Sequence, residues 1–192
     1  MCALLHTSQS DPIRVDFLPA AALPAPGRLG MTLAPGKKGP GIHAHWDRDL
    51  GVDLARLCGH YRADVLVSLI EAHELKLLAI PALYEQAEAH GLRVIRFPIR
   101  DVSVPAFTAG LRDLVAHVLA LVQAGRTVVV HCRGGLGRTG LVAACALVAA
   151  GHDPAAAMAT VRRARPGAIE TREQEEYVSR FQAAWRQRGP RP

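Results

Sequence analysis

The segment VVVHCRGGLGRTGLV, residues 128–142, places a cysteine and two arginines around a glycine-rich turn. A β-branched run precedes the turn and an apolar run follows it, which predicts a strand, a tight loop and a buried helix. Glycines allow several backbone N–H groups to converge on one point, and the helix N-terminus adds partial positive charge. The segment therefore predicts a phosphate-binding loop that comprises Arg133, Gly134, Gly135, Leu136, Gly137 and Arg138.

The same loop predicts a nucleophile. The positive field that attracts an anion also favours the thiolate form of Cys132, which is the reactive form, and the planar fork of Arg138 suits two phosphate oxygens. We expect phosphoryl transfer to the sulfur, giving a phosphocysteine that water then hydrolyses. The Thr139 hydroxyl is expected to donate a hydrogen bond to the sulfur and to ease its departure in the second step.

Cleavage of a phosphate ester also requires a proton for the leaving oxygen, and a carboxylic acid is a suitable donor. The segment RFPIRDVSVP, residues 96–105, places Asp101 just after a predicted strand and upstream of the cysteine. Residues that follow parallel strands meet at one edge of a sheet, so Asp101 is predicted to be the general acid. On local grounds the alternative is an aspartate that only caps a helix or a turn.

Several elements must position these groups. Continuous apolar runs predict strands at 28–33, 63–70, 92–99 and 126–132, and a long helix is predicted from Pro105 to Ala124. Buried strands that alternate with helices are typical of a parallel sheet covered on both faces. We therefore predict an α/β fold, a single domain whose central, mostly parallel sheet is flanked by helices.

The pattern HC-x-x-G-x-x-RTG at residues 131–140 resembles the signature of the cysteine-dependent protein tyrosine phosphatases. The similarity extends from about Gly27 to Phe181, and HCRGGLGRTGLVAAC looks like the kinase-associated, cyclin-dependent kinase inhibitor 3-like branch of the dual-specificity phosphatases. The resemblance implies a shallow pocket on one dual-specificity phosphatase-like domain. It also implies that Asp101, in Pro-Ile-Arg-Asp, is the general acid, and that His131 orients the loop and is not the base.

A downstream segment, RPGAIETREQ at residues 165–174, resembles the small atypical dual-specificity phosphatases, in which this loop borders the active site. The resemblance implies that Glu170 or Gln174 positions the water that hydrolyses the phosphoenzyme. From the residues alone, Thr171 and Gln174 equally fit a capping box at a helix N-terminus. Both interpretations stay open at this point.

Three functions fit these motifs. The first is a protein phosphatase for phosphotyrosine, and also for phosphoserine or phosphothreonine, because the chain shows no equivalent of the deep phosphotyrosine-recognition loop of the larger tyrosine-specific domains. The second is a phosphoinositide or inositol phosphate phosphatase, which is disfavoured because residues 133–137 contain no lysine. The third is a phosphate-binding pseudophosphatase, which is disfavoured because Cys132, Arg138 and Asp101 are all present.

Composition limits the partners. The net charge of +6 favours anionic partners, and with the loop it predicts a phosphorylated protein substrate. The basic residues are scattered and aromatic residues make up 5%, which disfavours nucleic acid. Four cysteines at irregular spacings fit neither a disulfide framework nor a zinc site, and neither a membrane-spanning run nor a secretory signal is apparent, so a cytoplasmic location is expected. The protein is also expected to be a monomer. His43 and His45 lack an obvious third ligand, so no metal and no other cofactor is predicted.

Three segments are predicted along the chain. An irregular N-terminal arm with four prolines occupies residues 1–27, and the catalytic domain occupies residues 28–185. A basic tail follows at residues 186–192. No internal repeat and no domain linker interrupts the middle segment.

Overall fold

The computed structural model describes residues 4–23, 25–41 and 44–187. Its strands are β1 (Leu4–Thr7), β2 (Asp16–Phe17), β3 (Arg28–Thr32), β4 (Lys38–Pro40), β5 (Ala44–Asp47), β6 (Val65–Ser68), β7 (Arg93–Arg96) and β8 (Thr127–His131). Its helices are α1 (Leu50–Gly59), α2 (Ala72–Leu77), α3 (Leu83–Ala89), α4 (Thr108–Gln123), α5 (Gly137–Ala149), α6 (Pro154–Ala164) and α7 (Arg172–Arg186).

The main sheet has five strands in the order β2-β3-β8-β6-β7. Strand β8 lies at its centre and runs parallel to β3 and β6, and β7 runs parallel to β6, whereas the short β2 is antiparallel to β3. A second sheet has three strands in the order β1-β5-β4. The predicted α/β fold with a mostly parallel central sheet is confirmed.

Helices cover both faces of the main sheet because strand β8 is apolar on both sides. Val128 and Val130 pack with the buried residues of α4, α5 and α7, whereas Val129 packs with buried residues of α1 and α3. Helix α5 is enclosed along nearly its whole length, from Gly137 to Val148. The helix that follows the glycine-rich loop is therefore held rigidly at the centre of the larger core.

The parallel arrangement brings four chain segments to one edge. The residues after β3, β6, β7 and β8 all leave the sheet at its carboxyl end, because these four strands run in the same direction. The segment after β8 contains Cys132, and the segment after β7 contains Asp101. The segments that carry the predicted nucleophile and the predicted acid therefore lie at the same edge of the sheet.

The structure corrects two predictions. Residues 1–27 are not irregular throughout, because they contain β1 and β2, and Ile13 and Leu18 are buried in the two cores. Apolar residues between the prolines supply this anchoring. The long helix begins at Thr108 instead of Pro105, since residues 101–107 form the loop that carries Asp101. Of the predicted basic tail, residues 188–192 lie outside the described residues.

Candidate active site

The glycine-rich loop wraps around the Cys132 thiol. The backbone N–H of Gly135 donates a hydrogen bond to Sγ of Cys132 at 3.2 Å, and the cysteine is 3% exposed. Gly135 has a φ of +73°, and a Cβ at this position would lie 2.3 Å from the carbonyl oxygen of Thr32 in the neighbouring strand. Only glycine fits this close approach, which lets the loop turn its N–H inward.

The carbonyls of the loop are held by donors from outside it. Arg165, at the C-terminal cap of α6, donates from Nε to the carbonyl of Gly135 at 2.5 Å and from Nη2 to that of Gly134 at 3.2 Å. The carbonyl of Arg133 accepts from the backbone N–H of Ala34 at 3.4 Å. Because these carbonyls have partners outside the loop, they are held away from its centre, where the N–H of Gly135 donates to the sulfur.

Arg138 is fixed by a carboxylate that the sequence did not single out as functional. Its Nη1 and Nη2 donate to Oε2 and Oε1 of Glu74 at 2.7 and 2.9 Å, and both side chains are 1% exposed. Nη1 also donates to the carbonyl of Ile99 at 2.9 Å. Glu74 lies on the short helix α2 and accepts the backbone N–H of Glu71 as well. The guanidinium therefore has one orientation.

This ion pair stays charged despite its burial. Burial opposes the charged form of Arg138, but its hydrogen bond to the Glu74 carboxylate and the negative charges of Cys132, Glu74 and Asp101 outweigh this effect, so the pKa of Arg138 is raised. Burial likewise opposes the carboxylate, but the bonds from Arg138 and from the N–H of Glu71 lower the pKa of Glu74. A buried pair with this geometry compensates the cost of desolvation.

Asp101 lies against the free edge of the same guanidinium. Its Oδ1 is 2.7 Å from Nη2 of Arg138, and its Oδ2 is 3.8 Å from Nη1 of Arg133. The Asp101 side chain is 41% exposed, as is that of Arg133, so both face the mouth of the site. The next residue, Val102, has a φ of 57°, which a β-branched residue rarely adopts, and its N–H donates to Asp101 at 3.1 Å.

Glu170 and Gln174 meet the loop from the opposite side. Oε2 of Glu170 accepts the N–H of Gly137 at 2.7 Å, at the first turn of α5. Gln174 is fully buried, and it accepts the N–H of Glu170 at 2.9 Å and donates to the carbonyl of Ser103 at 3.2 Å. A Cβ on Gly137 would lie 2.4 Å from Oε2 of Glu170, so this approach also requires glycine.

The predicted capping box is only half formed. The Thr171 side chain accepts the N–H of Gln174 at 3.2 Å and caps α7. The Gln174 side chain does not return to Thr171, because it bridges Glu170 and the loop that carries Asp101. Gln174 therefore links the two loops that border the site.

Two further residues of the signature are buried beside the cysteine. His131 Nδ1 is 3.3 Å from the carbonyl of Cys132, and burial lowers the pKa of this histidine to about 4, so it is neutral at pH 7 and donates from Nδ1. The Thr139 hydroxyl is also buried but contacts no hydrogen-bond partner within the described ranges. The expected bond from Thr139 to the sulfur is therefore not formed in this structure.

The described ranges contain no cluster of three potential metal-ligating side chains. Of the two histidines considered for a metal, His43 lies outside the described residues, and His45 lies on β5 in the smaller sheet. None of the helices in the described ranges has the length and apolar character that a bilayer crossing requires.

The chain is similar in sequence and in fold to known phosphatases. The model of the family described as "Tc-R-P: Polymorphic toxin system, DSP-PTPase phosphatase" matches residues 56–152, just over half of the chain. Over 176 residues the chain is 29% identical to cyclin-dependent kinase inhibitor 3 of Sus scrofa, covering 90% of this chain and 80% of that protein. A crystal structure of kinase associated phosphatase with a serine in place of its catalytic-site cysteine has a TM-score of 0.82 at 25% identity, covering 91% of this chain and 97% of that chain. Tk-PTP in its active form has a TM-score of 0.69 at 28% identity, covering 88% and 96%.

The fold and these relatives define a cysteine-based phosphatase of the protein-tyrosine and dual-specificity class. The chain belongs to the DSP-PTPase phosphatase family of polymorphic toxin systems. The predicted enzyme class is confirmed, and so is the predicted similarity to the cyclin-dependent kinase inhibitor 3-like branch.

Proposed function

We propose that this chain is a protein phosphatase that hydrolyses phosphotyrosine, and also phosphoserine or phosphothreonine, through a phosphocysteine on Cys132. The observation that carries the proposal is the convergence of three groups at one sheet edge. The thiol of Cys132, the fixed guanidinium of Arg138 and the carboxylate of Asp101 lie at this edge, and the N–H of Gly135 faces the sulfur. Nucleophile, phosphate clamp and acid are the parts that this reaction needs.

In the first step, the Cys132 thiolate attacks phosphorus and the bond to the leaving oxygen breaks. Glu74 occupies the Nη1–Nη2 edge of Arg138, so the Nε–Nη2 edge is the one left for two phosphoryl oxygens. The loop N–H groups that are not already bonded to Cys132 or Glu170 are proposed to take the remaining negative charge. Because Arg138 is held on Glu74 before substrate arrives, little reorganisation accompanies binding.

Asp101 must leave Arg138 when substrate binds. In the ligand-free structure its Oδ1 contacts Nη2, which is where a phosphoryl oxygen is expected. An incoming dianion displaces the carboxyl group from Arg138 and leaves it free to reach the leaving oxygen, to which the acid form of Asp101 gives its proton. The phosphoryl group thus replaces Asp101 on Arg138, and the same event releases Asp101 to act as the general acid.

Replacing Asp101 with asparagine keeps the shape but removes the transferable proton. We expect kcat for a phosphoserine peptide to fall by about 10²–10⁴-fold, and kcat for 4-nitrophenyl phosphate to fall much less, because nitrophenolate leaves without protonation. The inhibition constant of inorganic phosphate should also decrease, since the amide competes less well for Arg138. Equal losses on both substrates would instead indicate a structural role for Asp101.

Glu170 and Gln174 are proposed to act in the second step, in which water attacks the phosphocysteine. The Glu170 carboxylate lies at the N–H of Gly137, and Gln174 holds the backbone of Glu170. A water bound between them would face the phosphorus from the side opposite the sulfur. The Thr139 hydroxyl, buried and without a partner among the described residues, is proposed to donate to the departing sulfur.

The Glu170→Gln variant tests this assignment. Loss of the base is expected to slow hydrolysis of the phosphoenzyme by about 10-fold or more, within the usual range for general base catalysis. Rapid-quench measurements should then show an unchanged burst followed by a slower steady rate. Glu173→Gln, a change of the same type on the exposed first turn of α7, is the matched control and should leave both phases unchanged. A smaller burst in Glu170→Gln would refute the assignment.

A protein substrate is favoured over a phosphoinositide. The loop residues 133–137 contain no lysine, and the side chains of Asp101 and Arg133 are partly exposed at a shallow mouth. Phosphate release from phosphotyrosine, phosphothreonine and soluble phosphoinositide substrates tests the choice. We expect the largest kcat/KM for a phosphopeptide. A larger value for the phosphoinositide would reverse the assignment, and binding without any release would indicate a pseudophosphatase.

Three further properties belong to this proposal. The three cysteines of the described residues are free, which supports a reducing compartment such as the cytoplasm. We propose that the protein acts as a monomer without a cofactor. We also propose that residues 28–185 form the catalytic domain, with residues 1–27 and 186–192 accessory to it.

A further inference from the structure

Lys37 is a buried lysine beside the catalytic loop that the function above does not use. It lies between β3 and β4, immediately before the first residue of β4, and it is 7% exposed. Its Nζ lies 4.0 Å from the centre of the Trp46 ring and 3.5 Å from the carbonyl oxygen of Arg133. The ammonium therefore lies on the outer side of the loop, covered by an aromatic ring.

No carboxylate within the described ranges lies at ion-pair distance from this ammonium. The charged groups that act on it are Arg48, Arg133 and Arg165, which repel it, and the Cys132 thiolate, which attracts it. Arg48 and Arg165 already have carboxylate partners in Asp53 and Asp16. Burial, followed by these three arginines, lowers the pKa of Lys37 to about 8, although the thiolate acts in the opposite direction.

An unpaired cation in such a place is costly to bury. The long contact with one carbonyl and the contact with Trp46 are weak compensation, and a methionine would fill the same space without the cost. Buried ionisable groups without a structural partner are concentrated at functional sites. We therefore attribute the free-energy cost of burying this ammonium to a role of its charge at the Cys132 sulfur, with which it interacts electrostatically.

We propose that Lys37 is a positioning residue that supplies the counter-charge for the Cys132 thiolate from outside the loop. It keeps the carbonyl of Arg133 turned away from the centre, and its ammonium favours the ionised sulfur. Lys37 is assigned a positioning role because its ammonium contacts the loop at the carbonyl oxygen of Arg133. The inference extends the proposed function, since it concerns the same nucleophile.

The test is the rate of alkylation of Cys132 by iodoacetamide as a function of pH, in the ligand-free protein. Trypsin releases residues 127–133 as one peptide, so mass spectrometry reports Cys132 separately from Cys58 and Cys145. The variants are Lys37→Met, which removes the charge, and Lys37→Arg, which keeps it. Lys38→Met is the matched control, because the neighbouring Lys38 is half-exposed and paired with Asp47.

Below pH 8, Lys37→Met is expected to slow alkylation on the order of 10-fold, because the variant removes a positive charge that interacts with the sulfur in a partly buried site. Above about pH 8 the wild-type lysine also loses its proton, so the two profiles should converge. Lys37→Arg and Lys38→Met should follow the wild type below pH 8. The thermal midpoint of Lys37→Met should be equal to or above that of the wild type, because an unpaired buried charge is removed.

Two results would overturn the inference. One is an unchanged profile in Lys37→Met, and the other is a loss by the same factor at every pH, which would mean that Lys37 only supports the loop. Alkylation needs no turnover, so these results are separate from those that test the phosphatase. If the wild type showed no phosphatase activity but Lys37→Met still slowed the alkylation of Cys132 below pH 8, the proposed function would be rejected. The inference that Lys37 is the counter-charge of the Cys132 thiolate would stand.

Discussion

Replacing Cys132 with serine is expected to reduce kcat for an aryl phosphate by at least about 10⁴-fold, because the loss of a catalytic nucleophile has effects of this size. The proposed nucleophile is the Cys132 sulfur, to which the N–H of Gly135 donates a hydrogen bond. A serine hydroxyl is a far weaker acid than a thiol, so it stays protonated in the same surroundings. Phosphate release should be measured with a metal chelator present, and acid-quenched wild type should carry a phosphate on Cys132 that the variant lacks.

Cys58→Ser is the matched control, because Cys58 is a free thiol in the last turn of α1 and does not belong to the catalytic loop. Its activity should equal that of the wild type. Equal activity in Cys132→Ser would mean that the loop is not the catalytic centre. Loss of activity in wild type after adding the chelator would point to a metal-dependent reaction instead.

Arg138→Lys is expected to lower kcat/KM by about 10²–10³-fold, the usual cost of removing one preorganised group that stabilises transition-state charge. A lysine keeps the positive charge but cannot offer two parallel N–H groups to the phosphate while also holding both oxygens of Glu74. Steady-state kinetics on a phosphotyrosine peptide measure the loss. A variant with wild-type kcat/KM would show that the fork is not used.

Variants of Arg138 and its partner Glu74 distinguish an effect on activity from an effect on the free energy of unfolding. Arg138→Met leaves the buried Glu74 carboxylate without its cation, which is expected to cost about 3–5 kcal/mol in the free energy of unfolding. Adding Glu74→Gln removes the unpaired charge, so the double variant should regain much of that stability in urea unfolding. Its activity should stay as low as that of Arg138→Met. Recovery of activity would contradict a catalytic role for the arginine.

The groups that the sequence predicted share one property: their roles follow from short-range pattern. Cys132 and Arg138 lie on one loop between a strand and a helix, and Asp101 follows a recognisable strand end. The strands and the buried helix α5 were predictable for the same reason, because apolar periodicity is local. The start of α4 was placed too early because Pro105 is a common first helical residue, and the structure uses it in the acid loop instead.

The missed groups depend on pairing over long distances along the chain. Glu74 lies 64 residues before Arg138, Lys37 lies 96 residues before Arg133, and Arg165 lies 30 residues after Gly135. Each looks like an ordinary charged residue in its own segment. Only the strand order, with β8 between β3 and β6, brings them to the loop. A carboxylate close after a buried strand was the one signal that could have pointed to Glu74.

The central position of β8 has a consequence for how the protein acquires activity during folding. This strand pairs with β3, whose residues precede it by about a hundred positions, and with β6, which lies about sixty before it. Such distant pairings close slowly, and both must form before the loop after β8 is shaped. The loop also receives contacts from Arg165 and Glu170, which follow it in the chain. A growing chain on the ribosome is therefore expected to form the complete loop only after these later residues have emerged as well.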